Sequence, residues 1–464
     1  MIKYNTIAGA VAAAGLSVLL VQPAGGAVSA DEAKQLGTTL TEFGAEKAGT
    51  SDGSIPAYTG GLEMVPGYDP STSQVFIDPY RDEKPLYSID ANNMAKYDEL
   101  LTVGTKALLQ RPEFRVDVYP THRSMRYTST VLENTVKNAT TAKMTGEVEG
   151  DSVEGGDVGN KPFAGIPFPI PKNGYEVMWN YTFRFAPAVS HNIGGAFLVD
   201  TSGNVSSLPG VDEYFLHPWY DTQDYLRPRT FDAVFGFNAL LTSPPSSAGT
   251  VFLNYYLIGD QKVWFYTPGQ RRVRMAPEFS YDVPIASYGG VIVWDEIFGF
   301  VGRMDRFNFK LVGKKELLVP YNVFGATNTM LVKDYLGPKV INPDAVRWEK
   351  RRVWIVDATR KEDARHIYSR RTYYIDEDCW CITTSEAYDS AGNLWRVNHI
   401  NTFPAYDTGG VNTDSWTTYD LIKGNYFIIN VGHKEPGGLI RHYDTANGLP
   451  INLTPRSVAA GGVR

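Results

Sequence analysis

Apolar and polar positions alternate along most of the chain beyond Ala196, and short turn-forming clusters break the alternation. Val263 to Pro284 shows the pattern: an aromatic run, a Pro268-Gly269 turn, then a basic run alternating with Val273 and Met275. β-Branched and aromatic residues on both sides of such a turn predict a β-hairpin. Val251 to Ile258, Val263 to Tyr266 and Arg271 to Met275 read as strands over Gly259-Asp260-Gln261 and Pro268-Gly269. Phe307 to Val312 and Glu316 to Pro320 read as a further hairpin over Gly313-Lys314-Lys315. From Trp348 the strands run almost unbroken: Arg352 to Ala358, His366 to Asp376, Trp380 to Tyr388, Leu394 to Asn401, Ser415 to Leu421 and Tyr426 to Val431. Successive strands joined by short turns predict an antiparallel sheet, not βαβ units. The expected class is therefore mainly β with minor α. No break in composition divides residues 31–464, so they are expected to form one domain.

Helical periodicity is confined to the first half. Asp90 to Gln110 places Met94, Tyr97, Leu100, Leu101 and Leu108 at helical spacing before Pro112. Ser129 to Lys143 predicts a second, weaker helix, and Asp31 to Gly37 a short one. Each has one apolar stripe, for which a sheet is the obvious partner. Two loops stand out. Thr145 to Asn160 scatters five carboxylates among glycines and predicts a solvated loop without calcium-site spacing. Tyr288 to Met304 gathers Trp294, Ile297, Phe298 and Phe300; it either packs on the sheet or covers an opening in it.

Composition sharpens this picture. The 464 residues are 43% hydrophobic and 13% aromatic, enough for a large core, and 44 Gly with 28 Pro match frequent turns. A net charge of −7 argues against a nucleic-acid partner held through phosphates. Lys3 followed by the small apolar run Ile7 to Val21, with small residues at Val28 and Ala30, predicts an export signal cleaved after Ala30. The two cysteines, Cys379 and Cys381, would point to one face of a strand with Cα atoms about 6.5–7 Å apart. That favours two small buried hydrophobes, because a bridge requires a local kink.

Catalytic motifs are missing from the sequence: no nucleophile elbow, no HExxH, no P-loop. The seven histidines are scattered, so neither a metal nor another cofactor is expected, and no catalytic residue is assigned. Asp376 and Asp378 read as strand-end and turn residues. Arg272 and Arg274 share one strand face, and Arg352, Arg370, Arg371 and Arg396 recur in later strands. All are expected on the outer face in cross-strand pairs, with Arg272 and Arg274 as candidates for an anionic head group or a partner. The surplus of aromatics predicts a cavity for an apolar guest. Its candidate lining is Trp179, Trp264, Tyr266, Trp294, Phe298, Phe300, Trp354 and Tyr373.

The segments LTEFGAEKAGTSDGSIPAYTGG, GIPFPIPKNGYEVMWN, WFYTPGQRRVRMAPEFSYDVP, KLVGKKELLVPYN and RHIYSRRTYYIDED resemble a family of Gram-negative exported proteins. That family is labelled outer-membrane lipoprotein-sorting protein and is distantly like LolA and LolB. The resemblance spans roughly Leu40 to Gly432. It implies a large curved antiparallel sheet or incomplete barrel, closed by helices over a hydrophobic cavity. It also implies a periplasmic carrier of a lipid-like molecule, with an RND-type exporter or the outer membrane as partner. This chain differs from LolB in having no cysteine for lipidation. A lipid-ester hydrolase and a non-catalytic subunit of an envelope transport complex are the rival expectations.

Overall fold

Two glycines in the middle of one long strand let the sheet turn from its first half into its second. The computed structural model describes residues 28–276 and 281–461; the predicted export run Ile7 to Val21 lies outside them. Strand β1 (Val189–Val199) opens a meander of β2 (Val211–Leu216), β3 (Phe235–Leu241), β4 (Val251–Leu257), β5 (Asp260–Thr267) and β6 (Arg272–Met275). A second meander holds β7 (Phe307–Pro320), β8 (Trp348–Arg360), β9 (Arg370–Asp376), β10 (Ile382–Tyr388), β11 (Leu394–Ile400), β12 (Trp416–Asp420) and β13 (Tyr426–Val431). The meanders join where β1 pairs with β2 on one edge and β13 on the other. The ladder is antiparallel and open, from β6 to β7 at its two edges. β14 (Leu439–Tyr443) pairs with the first half of β1. A Cβ on Gly194 would stand 2.8 Å from the Val431 carbonyl oxygen, so the crossing requires glycine there.

The connection from β6 to β7 turns inward. Phe215 and Phe237 of the first meander share one core with Tyr373 of the second, and Trp294, Ile297, Phe298 and Phe300 fill the space between them. The apolar loop is thus packed inside the curved sheet. Helix α1 (Ser129–Thr141) buries Val131, Thr135, Asn138 and Ala139, the i, i+4, i+7, i+8 stripe of an amphipathic helix. Helix α2 (Gly174–Thr182) is buried on every side and lies on β7 and β8. Its first residue is glycine because a Cβ there would approach the Phe309 carbonyl oxygen to 2.6 Å. Helix α3 (Pro455–Gly461) packs across β4, β5 and β6.

Several expectations are corrected. Asp90 to Gln110 is not one helix: Leu101 is extended, separating a 3-10 segment, Met94–Leu100, from the helix Val103–Leu108. Thr102 is the cause, because its side chain accepts the Thr105 N–H and starts a new helix. Gly313-Lys314-Lys315 makes no turn. β7 runs through it as a single strand, with a β-bulge between Leu311 and Gly313. Cys379 and Cys381 lie in the β9–β10 turn, where Trp380 adopts φ 51°. That turn brings their Cα atoms to 5.1 Å and they form a disulfide. Arg352, Arg371 and Arg396 are buried rather than on the outer face, because acidic residues of the inward connection and of the turns come to meet them. Arg370 keeps the expected cross-strand pairing, with Asp357. The glycine-rich acidic loop contains a small hairpin, Lys143–Thr145 with Ser152–Glu154. It docks through Asp151, paired with Arg303 at 2.5 Å, and through the Gly150 carbonyl, which accepts the Trp179 indole N–H.

Candidate functional site: the filled interior of the sheet

Burying an acidic segment inside a sheet requires partners for every charge. Val293 to Gly299 meets this demand through residues of β9, β11 and the loop before β9. The Asp295 carboxylate accepts from His366 Nε2 at 2.9 Å and pairs with Arg371 at 3.0 Å. Glu296 pairs with Arg396 at 2.6 Å and accepts the Tyr368 hydroxyl at 2.6 Å. Arg371 also donates to the carbonyl oxygens of Asp295 and Gly299, and the Tyr181 hydroxyl donates to those of Phe298 and Phe300. Burial raises the Asp295 pKa, but the charges of Arg371 and His366 outweigh it and hold the carboxyl below its ordinary value.

Phe298 is the tip of this plug. Its backbone is left-handed at φ 53°, an uncommon conformation for a bulky residue. Its ring lies 5.0 Å from Phe215, 5.3 Å from Phe235 and 5.2 Å from Trp416, all edge to face. Unfilled space remains beside these partner rings. One cleft, about 30 Å³, runs between Trp179, Phe235, Phe300 and Arg303. Another, about 50 Å³, runs between Phe215, Phe237, Trp294 and Trp416 and ends at Glu213 and Asn430. Outside the first, along α1, a wider groove of about 580 Å³ is lined by Phe163, Phe185, Trp219 and Tyr220. Trp219 stacks edge-on to Phe183 at 5.2 Å, and Phe183 lies 6.1 Å from Trp179. A track of ring contacts therefore links the groove to the first cleft. A larger cleft, about 630 Å³, lies away from this track around Arg347, which pairs with Glu83 and Glu349. Its walls are more polar than the track.

Of the aromatic residues expected to line a cavity, Trp179, Trp294, Phe298, Phe300 and Tyr373 come together in this interior. Trp354 packs at the turn end, stacked on Trp380 at 6.1 Å. Trp264 and Tyr266 belong to another cluster, under α3. Arg272 and Arg274 are exposed on the edge strand β6. Sequence reasoning missed Phe215, Phe235, Phe237, Trp416, Asn430 and Glu213. For Glu213 a signal existed: in VDEYFL it alternates with Val211 and Phe215, a carboxylate on the apolar face of a strand.

Two buried histidines serve structure. His366 gives Nε2 to Asp295 and accepts the Tyr368 N–H on Nδ1, so neither nitrogen is available as a base. His442 is committed in the same way, to Asp407 and Asn412. Asp376 and Asp378 pair with Arg351, and Asp378 also with Arg123, tying the β9–β10 turn to earlier segments. Among the described residues no three His, Cys, Asp or Glu side chains gather to hold a metal ion.

Comparison with known proteins agrees with the reading of the segments quoted above. The model of a family described as protein of unknown function (DUF1329) matches residues 88–453. An uncharacterised protein of Pseudomonas aeruginosa is 36% identical over 446 residues, covering 94% of this chain and 95% of that one. Among solved structures, a putative outer-membrane lipoprotein-sorting protein domain from Vibrio parahaemolyticus aligns with TM-score 0.41 and 13% identity, over 62% of this chain and 98% of its own. A DUF1329 protein from Desulfovibrio piger aligns with TM-score 0.38 and 13% identity, over 60% and 93%. A LolA superfamily protein from Nitrosomonas europaea aligns with TM-score 0.32 and 9% identity, over 56% and 91%. With a mainly β, open antiparallel sheet and a family match across most of its length, the chain belongs to the DUF1329 family.

Proposed function

We propose that the protein is a non-catalytic periplasmic carrier that takes a lipid-like molecule into the interior of its curved sheet. The observation that supports this is the series of ring contacts, Trp219 to Phe183 to Trp179, that links the groove beside α1 to the cleft lined by Phe235, whose ring Phe298 touches. Burial of apolar surface contributes roughly 25 cal/mol per Å², so a lipid chain needs no charged contact to bind. The clefts beside Phe298 are too small for such a chain, so the plug has to move for it to enter. Trp179, Trp294, Phe300 and Tyr373 would then line the ligand. The exposed Arg272 and Arg274, on an edge strand, suit docking to an outer-membrane or RND-type exporter partner. The export run Ile7 to Val21 fits the periplasmic location.

Native mass spectrometry of protein purified without detergent tests this reading. A mass increment matching a lipid, with uptake of a fluorescent lipid after stripping, supports it. A clean apo mass with no uptake rejects it.

A further inference from the structure

The cleft beyond Phe298 ends in polar groups that face apolar walls. Glu213 lies on β2 between Val211 and Phe215 and turns to the interior, 5% exposed. Its Oε1 has no hydrogen-bond partner. Directly across the ladder stands Asn192 of β1, whose Oδ1 is equally unpartnered. Asn430 comes from a bulge in β13, where the register with β1 shifts between Ile429 and Val431. Its backbone is left-handed, φ 53°, and its side chain lines the same cleft; Nδ2 donates to the Asp414 carbonyl oxygen at 2.8 Å, while Oδ1 lacks a partner. A bulge that re-aims one polar side chain into an apolar space is a feature of binding sites. Orphaned buried acceptors destabilise the fold unless something satisfies them.

The Asn192 and Asn430 oxygens are acceptors, Glu213 becomes one once its proton leaves, and the charge around them is negative. Asp414 accepts from the Ser190 hydroxyl and from the amides of Asn192 and Asn412, at 2.5, 3.0 and 2.8 Å. Among the described residues no cationic side chain pairs with it. No Lys, Arg or His among the described residues lines the cleft either.

Resting on the carrier reading, we propose that this cleft receives the head of an amphiphile whose polar end donates hydrogen bonds, with a protonated amine preferred over a hydroxyl and an anionic head excluded. Glu213 and Asn430 accept from the head, while Phe237, Trp294 and Trp416 hold the adjoining chain. Burial and the charge of Asp414 raise the empty site's Glu213 carboxyl well above the ordinary carboxylate range, which favours its protonated form. A bound ammonium takes the place of that proton, which leaves to solvent. The groups that face Glu213 are Asp414, Asn430 and Tyr288, with Asp212 on the reverse of β2 held by His191. His433, beside Gly194, is buried, and burial pushes its pKa down to about 4, so it contributes no positive charge.

Displacement of the neutral dye N-phenyl-1-naphthylamine from the full chain by n-decylamine, n-decanol and n-decanoate, below their micelle concentrations, tests this. Decylamine should displace at a concentration at least tenfold lower than decanoate, with decanol between them. Its affinity should rise with pH, by up to about tenfold per unit while Glu213 remains protonated in the free protein. Glu213→Gln should bring decylamine to the level of decanol and remove the pH dependence. Asn430→Gly keeps the left-handed backbone and should weaken decylamine and decanol alike, which preserves the test if the first variant does not fold. Dye binding with decanoate equal to or better than decylamine overturns the head-group assignment alone. So does a ranking unchanged in both variants. Absence of dye binding rejects the carrier reading and this inference with it.

Discussion

Arg371 and Asp295 form an ion pair at 3.0 Å with side chains 1% and 5% exposed, inside the curve of the sheet. Arg371 belongs to β9 and Asp295 to the connection between the sheet's two edges, so the pair fastens the plug to the wall. Removing one partner of a buried pair leaves the other uncompensated. Arg371→Met is expected to destabilise the fold by about 3–5 kcal/mol, read from urea denaturation. Arg371→Lys should recover only part of this, because an ammonium cannot also reach both the Asp295 and Gly299 carbonyls in the guanidinium's geometry. A loss under 1 kcal/mol for Arg371→Met would show that the pair does not hold the plug.

Glu176 gives the fold a pH dependence of definite sign. It sits in the first turn of α2, fully buried, with its carboxylate accepting the Lys172 N–H and the Asn173 amide. Burial outweighs these bonds and raises its carboxyl from 4.5 to about 7. A raised pKa means the folded state binds the proton more tightly, so the contribution is present below pH 4.5 and is lost as pH rises through 7. Glu176→Gln should match the wild type near pH 4. By pH 8 it should be more stable by up to about 3 kcal/mol, measured by denaturation at both pH values. An equal difference at the two pH values would assign the effect to packing.

The disulfide closes a very short loop, so its entropic effect on the unfolded chain is small. Cys379→Ser with Cys381→Ser is expected to cost about 1–2 kcal/mol, far less than a long-range bridge. The bridge itself is checked by alkylation: no thiol should react in the denatured protein until a reductant is added.

What the sequence revealed was set by the range over which its signals act. The meander was legible because strand alternation and turn residues are local, and the β5–β6 hairpin forms over Pro268-Gly269 as expected. Gly313 misled because a bulge glycine and a turn glycine look alike; only the partner strand β8 distinguishes them. Arg371 and Arg396 misled because their acids, Asp295 and Glu296, arrive from 76 and 100 residues away. No local pattern reports such a meeting. The same limit split the aromatic set. Trp264 and Tyr266 face α3, whose packing on β5 involves residues nearly two hundred positions later.

Phe298 offers the most direct intervention in the carrier reading. Its ring touches Phe235, which lines the cleft at Trp179, and Phe215 and Trp416, which line the cleft at Glu213. Phe298→Ala should cost about 3–5 kcal/mol of stability, the usual range for removing a buried aromatic ring. It should at the same time merge the two clefts and admit an apolar guest without displacement of the whole plug. Dye affinity should therefore increase several-fold while the melting temperature falls, and added ligand should restore part of the lost stability, since a molecule that fills the cavity binds only the folded state. Lower stability with unchanged or weaker dye binding would mean that the interior at Phe298 is structural core and that the ligand, if one binds, lies elsewhere.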